Sequence, residues 1–267
     1  LEQVQRKVLY LQTRFDRVWT ELQLQLKKQR IYLVQEHKLN TQQKKFVLNY
    51  FNEDVRGHIV PLLIESIHQF PTLSDKSIYL ACTLSTKDNH VQSRYALVSV
   101  PARRLPRFIL LPSPSNQQHE ILLEDVIRFC LPLIFNFFGY NQFTAHLIKV
   151  TRDAEMDIDQ DLALSLTEKI EKGLTDRKKG KPVRLVYDKE IPAPLLDYLM
   201  RRLGLTKKDS IIPGGRIHNF KDFMKFPEGV FEEKKIRKKP FLHPAFLKAQ
   251  TVSNVILKRD VMLHFPY

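Results

Sequence analysis

SIYLACTL (Ser77–Leu84), YALVSV (Tyr95–Val100) and RFILL (Arg107–Leu111) follow one another in the first half of this chain. Each is rich in β-branched or aromatic residues and bounded by turn formers, the pattern of short strands. His146–Val150 and Val183–Tyr187 have the same character. Helical periods occur at Glu124–Phe137, at Asp161–Lys178 with Leu162, Leu166, Ile170 and Leu174 on one face, and at Pro194–Leu203. Strands adjacent in the middle with helices bunched later favour an α+β domain, with a mixed, largely antiparallel sheet and packed helices, over a doubly wound sheet.

Working outward, Val4, Val8, Leu11, Phe15, Val18, Leu22 and Leu26 recur in four- and three-residue steps. That is a bundle or coiled-coil seam, and it predicts one long helix over Leu1–Arg30. No capping residue precedes it, so the helix reads as the end of an N-terminal helical domain entered part-way. Ile31–Val34 is short and extended. Thr41 is the expected N-cap of a helix carrying Phe46, Val47, Tyr50 and Phe51 and ending near Gly57. The expected organisation is therefore residues 1–30 as the end of the helical domain, 31–245 as a middle domain able to fold alone, and 246–267 as the start of a further one. The apolar, aromatic run from Val255 to Tyr267 supports a chain cut at that end.

The 267 residues carry 43 Lys+Arg against 29 Asp+Glu, a formal net charge of +14. This favours a polyanionic partner: polyphosphate, nucleic acid, or an acidic membrane or protein surface. Cys82 and Cys130 lie in apolar surroundings outside any CxxC pair, which argues against a disulfide framework and fits a reducing cytoplasm. No apolar run approaches the roughly 20 residues that span a bilayer. The most apolar stretch, Phe129–Phe138, is interrupted by Pro132 and Asn136 and reads as buried helix. With eight glycines there is neither GxGxxG nor GxxxxGK[ST], and the nine histidines include no HExxH.

The candidate sites are anion-directed. IIPGGRIHNFKDF (Ile211–Phe223) combines Pro213, Gly214 and Gly215 in a sharp turn that permits φ > 0 and would hold Arg216 and His218 at the mouth of a short helix, with Lys221 a turn beyond. Arg216 is the leading phosphate-binding candidate, set against a structural role tying the turn to an acidic neighbour. Arg152 follows a strand beside Asp153 and suits either a phosphate or a structural Arg–Asp pair. Arg103, Arg104 and Arg107 form an anion patch only if they face one way. Lys178, Lys179 and Lys181 read as a solvated turn, and Lys234–Lys239 as a linker or an electrostatic guide. Glu155, Asp157, Asp159 and Asp161 lack the Gly and Glu of a calcium loop. No catalytic residue, cofactor-binding residue or metal ligand is assigned.

Four stretches together resemble bacterial polyphosphate kinase: Arg94–Val98 running on to Leu105–Phe108, Lys149–Glu155, Ile211–Phe223, and Lys258–Tyr267. The resemblance covers essentially the whole chain. It implies an ATP- and Mg2+-dependent phosphotransferase that builds polyphosphate through a phosphohistidine, cytoplasmic and homo-oligomeric, with peripheral contact to the inner membrane face left open. It also implies that this chain is the non-catalytic middle or head region, supporting dimerisation and the polyanion path. The phosphorylated histidine, most ATP contacts and the magnesium-binding arginines would lie beyond Tyr267, and a nucleotide-contacting Asn before Leu1. His264 then holds a positional role, and the family's frequent second His is replaced by Phe265. Two other classes stay open, a basic nucleic-acid-binding module and a purely structural assembly domain. No RNP-type motif or DNA-reading helix supports the first.

Overall fold

The computed structural model describes residues 2–75, 77–87, 92–152, 182–206, 209–227 and 243–262. The helix expected at 161–178, the acidic run from Asp153, the lysine clusters at 178–181 and 234–239, and His264 lie outside them. The chain forms two compact units, 1–230 and 231–267. In the second, the described residues form a 3-10 turn, Pro244–Phe246, and a short helix, Val252–Ile256, capped by Thr251.

The first unit opens with α1 (Glu2–Lys28), the expected long helix. Its described strands are β1 (Ile31–Leu33), β2 (Pro61–Leu63), β3 (Tyr79–Ser85), β4 (Arg94–Ser99), β5 (Phe108–Leu111), β6 (Gln118–Leu122), β7 (Gln142–Arg152), β8 (Pro182–Asp188) and β9 (Ser210–Gly214). Instead of one sheet they form two. A six-stranded sheet has the order β2-β4-β3-β7-β8-β9 and a three-stranded one the order β1-β6-β5. Pairing is antiparallel except for β8 with β9 and β1 with β6. The α+β class stands, and the five expected strands are all present. β1 falls in the stretch expected to be extended, and the other three are short or polar: Gln118 and Glu120 hide β6, and Pro213 hides β9. Pro213 is tolerated because β9 is an edge strand, where one missing N–H breaks no inner ladder.

The six-stranded sheet is buried on both faces, so its central strands alternate between two cores rather than between core and water. Leu80, Cys82 and Leu84 of β3 point into one cluster with Val47, Phe51 and Val55 and with Val126 and Ile127. Tyr79 and Ala81 point into the other, with Ile148, Val150 and Leu185. There they meet Leu195, Leu199 and Leu203, four residues apart on the helix Ala193–Leu203. Gly204 ends that helix at φ 66°, and Leu205 N–H returns to Met200 O at 2.9 Å, a Schellman closure. β8, this helix and β9 thus make a parallel crossover.

Two local expectations need correction. The helix Thr41–Tyr50 is capped by Asn40, not Thr41: Asn40 Oδ1 accepts from Gln43 N–H and Gln43 Oε1 accepts from Asn40 N–H. The helix expected over Glu124–Phe137 is split into Leu123–Phe129 and Leu131–Phe135, followed by a 3-10 turn. Pro132 has no N–H for the carbonyl four residues back, so the first helix stops. Beyond the break the stretch is not wholly buried; Phe137 is 96% exposed.

Most of the seam of α1 also faces water. Val4, Leu11, Val18 and Leu22 are 48–63% exposed. α1 docks by Phe15 of that seam and by Trp19 beside it: they meet Phe220 edge-on at 4.5 and 5.1 Å, and Trp19 meets Phe223 at 5.1 Å. The aromatic gain from such contacts, about 0.5–1.5 kcal/mol each beyond area burial, fixes α1 to the sheet domain rather than leaving it as a loose arm.

Candidate functional site

The turn after β9 is where the sequence motifs meet. Gly214 and Gly215 are not needed for positive φ, which in this segment falls on Asn219 at 55°. The tight approach is at Gly214, and at Gly215 a side chain would meet only ordinary contact. A Cβ on Gly214 would sit 3.3 Å from Val186 Cγ1 and 3.5 Å from the Tyr187 carbonyl, and one on Gly215 would sit 3.6 Å from Asp16 Oδ1 of α1. Asn219 then opens a six-residue 3-10 helix, Phe220–Lys225, that carries the two rings holding Trp19. Its left-handed backbone is clamped twice. Lys149 Nζ donates to Asn219 Oδ1 at 2.6 Å, and Arg107 Nη1 donates to Asn219 O at 3.0 Å. Lys149, Arg107 and Asn219 belong to three of the stretches quoted above.

Arg107 is buried. It grips Glu124 through Nη2–Oε1 at 2.6 Å and Nε–Oε2 at 3.2 Å, and reaches Asp222 at 3.1 Å. Arg103 instead donates to the Asp75 carbonyl at 2.9 Å, and Arg104 is exposed, so the three arginines form no shared patch. A second latch lies alongside. Arg216 Nη2 pairs with Asp125 at 2.8 Å and with Glu36, while Asp125 also pairs with Arg128. Burial pushes the Asp125 carboxyl upward against the pull of Arg128 and Arg216. Nothing in the spacing of the sequence pairs Arg107 with Glu124; the signal available was only that charged residues interrupted otherwise apolar segments.

His218 is buried, and its Nε2 faces the Gly215 carbonyl at 3.0 Å. Desolvation lowers its pKa to about 4, despite the Gly215 bond and nearby Asp188, so the ring is neutral at pH 7 and Nε2–H is the donor. Asp188 itself is lowered: burial raises it, but His146 and the Glu190 N–H more than offset that. The thiols of Cys82 and Cys130 are pushed up to about 12 by burial, which leaves them unreactive. Among the described residues no group of three or more His, Cys, Asp or Glu is placed to hold a metal.

Two of the three phosphate candidates, Arg216 and Arg152, engage their own surroundings. Arg216 is held by two carboxylates, which favours its structural alternative. Arg152 takes its backbone N–H to Asp75 Oδ1 and its Nε to the Leu73 carbonyl, both at 2.9 Å. Lys221 is exposed on a 3-10 turn too short to supply a helix-terminus anion site. The arrangement positions α1, the sheet end and the 3-10 turn against one another.

Glu120, central in the three-stranded sheet, is fully buried, and burial lifts its carboxyl to about 6 against the Gln118 hydrogen bond. Its folded pKa lies above the unfolded value of 4.5, so the group favours folding fully at low pH and that contribution is lost as pH rises through 6. Glu120→Gln, a mimic of the protonated acid, should add up to about 2 kcal/mol at pH 7.5 and nothing at pH 4. Urea unfolding of both proteins at the two pH values checks this.

Residues 42–226 match the family model of the polyphosphate kinase middle domain. The chain is 37% identical over 272 residues to a polyphosphate kinase of Vibrio parahaemolyticus, covering 100% of this chain and 39% of that protein. It is 37% identical over 278 residues to the enzyme of Escherichia coli K12, with the same coverage. The crystal structure of polyphosphate kinase from Porphyromonas gingivalis superposes with a TM-score of 0.74 at 23% identity, over 100% of this chain and 38% of that one, and shows a shared fold. The chain thus spans about two-fifths of the length of these relatives. On sequence and fold together, it belongs to the polyphosphate kinase family and carries that family's middle domain.

Proposed function

We propose that this chain is the non-catalytic middle region of a polyphosphate kinase. The intact enzyme would reversibly transfer the terminal phosphate of ATP, with Mg2+, to inorganic polyphosphate through a phosphohistidine outside these residues. This region would support homo-oligomer assembly and the path of the polyanion in a cytoplasmic enzyme. The family match over residues 42–226 carries the reading. The net charge of +14 supports it independently, since a basic surface raises the local concentration of a polyanion. The absence of a phosphate-cradling loop from the sequence is the reason to expect no chemistry here. Incubated with γ-labelled ATP, the 267-residue chain should take up no acid-labile label while an intact relative does. Label on this chain would refute the assignment of the chemistry elsewhere.

A purely structural role for the turn after β9 is favoured by the Arg216 latch. In the intact enzyme, Arg216→Ala should cost about 1–3 kcal/mol of stability, since it takes the partner from Glu36 and leaves Asp125 with Arg128 alone, with polyphosphate affinity unchanged in the folded fraction. Arg216→Lys should recover only part, because the planar fork is lost. Thermal unfolding together with polyphosphate binding at several salt concentrations separates the roles. A loss of affinity at unchanged stability would restore Arg216 as a phosphate ligand. Competition by single-stranded nucleic acid in the same assay tests the nucleic-acid alternative.

A further inference from the structure

The face of α1 turned away from the sheet carries one sign of charge. At about 100° per residue, Arg6, Tyr10, Arg14 and Arg17 fall on the side of the helix opposite Trp19, with Lys7 at their flank. Trp19 is seated against Phe220 and Phe223, so contacts as well as pattern set the outward direction of this stripe. All five of its residues are exposed. From Arg6 to Arg17 it runs about 17 Å along the helix.

The signs are sorted between the faces. Asp16 is the only acid between Gln3 and Thr20, and it belongs to the docked side: its Oδ1 accepts from Gln12 Nε2 at 3.1 Å and lies 3.6 Å from where a Cβ on Gly215 would sit. A merely solvated helix face interleaves acids with bases three or four residues apart, so that each charge is offset by a neighbour. Here Glu21, four residues beyond Arg17, forms no ion pair with it, and among the described residues none of Arg6, Lys7, Arg14 and Arg17 is paired with a carboxylate. Arg14 and Arg17, one turn apart, repel one another, and a bound polyanion would relieve that repulsion.

We propose, on the reading of this chain as part of a polyphosphate kinase, that the outer stripe of α1 binds linear inorganic polyphosphate laid along the helix and so forms a stretch of the polyanion's path. Charge complementarity selects the occupant. A single narrow line of cations matches one flexible string of phosphates, and each contact releases a counterion. Single-stranded nucleic acid would need aromatic faces for its bases to stack on, and the stripe's one ring, Tyr10, already has the Lys7 ammonium 5.4 Å from its centroid. An anionic lipid surface would also engage the apolar seam beside the stripe, Val4, Leu11, Val18 and Leu22.

The 267-residue chain titrated with medium-chain polyphosphate by calorimetry, from about 50 to about 200 mM salt, tests this. Binding should saturate, and log affinity should fall against log salt with a slope near −3, about 0.7 for each of the four cations. Arg14→Gln/Arg17→Gln, at exposed positions where Gln keeps the helix propensity, should weaken binding about ten-fold at the lower salt and flatten the slope by about 1.4. Lys44→Gln/Lys45→Gln removes the same charge from exposed positions of the helix Thr41–Tyr50 and should change affinity by less than about two-fold. Equal losses in the two double variants would reduce the binding to diffuse net charge and overturn the proposal. So would tighter binding of anionic phosphatidylglycerol vesicles or of oligo(dT) than of polyphosphate at equal charge. No binding of polyphosphate at the lower salt overturns this inference alone; failure of the wider reading would show instead as acid-labile label on this chain.

Discussion

Arg107→Ala should destabilise the first unit by about 3–5 kcal/mol, because it strips the partner from Glu124, a carboxylate with almost no access to water. Glu124 accepts two bonds from this one guanidinium, and the same group holds Asp222 and the Asn219 carbonyl. At about 2–4 °C per kcal/mol for a domain of this size, the midpoint of thermal unfolding should fall by roughly 6–20 °C. The double variant Arg107→Met/Glu124→Leu removes both charges and should recover much of the loss, since an apolar pair of similar volume often replaces a buried ion pair without cost. If the single variant loses less than about 1 kcal/mol, or the double variant is no better, the pair is not an isolated buried ion pair and the latch is misassigned.

The second large effect is on pH dependence. His218 has a folded pKa of about 4, below its usual 6.5. Between those values the unfolded chain binds the proton and the folded one refuses it, so stability present above pH 6.5 is lost as pH falls towards 4. The shift corresponds to about 3 kcal/mol across that window. Asp125 and Glu120, both raised, act with the opposite sign as pH falls, and flatten the total curve. His218→Gln keeps a donor for the Gly215 carbonyl but does not titrate, so the difference between the two proteins isolates the imidazole. Denaturant midpoints should converge as pH is lowered from 7 to 4. A constant gap would mean that His218 is solvated in the folded protein.

Period and propensity made the regular elements legible. Apolar β-branched runs marked β3, β4, β5, β7 and β8, and a helical period marked Pro194–Leu203 under the sheet, because burial imposes a repeat on the sequence. β1 and β2 are three residues long, too short for a repeat to show, while Gln118, Glu120 and Pro213 interrupt the apolar pattern of β6 and β9. The division into two sheets follows from β1 pairing with β6, a contact between distant parts of the chain that no local pattern announces. In the turn after β9, the composition of Ile211–Phe223 left two chemistries open. A glycine reports either backbone freedom or close packing, and at Gly214 it reports packing. An arginine reports either an anionic ligand or a carboxylate in the fold, and only three-dimensional proximity brought Glu36 and Asp125 to Arg216. Trp19, the ring that docks α1, lay outside the leucine-rich seam and so outside the helical pattern that drew notice.

The dock of α1 is built from residues encoded late. Phe220 and Phe223 leave the ribosome long after Phe15 and Trp19, and at about 5–20 residues per second the delay is about 10–40 s. Through that interval Phe15 and Trp19 of α1 lack these partners, while β3, β4 and β7 can already pair behind them. α1 is therefore seated after the sheet that follows it has begun to pair, and a nascent chain stalled before Phe220 should be the species in which chaperones find α1.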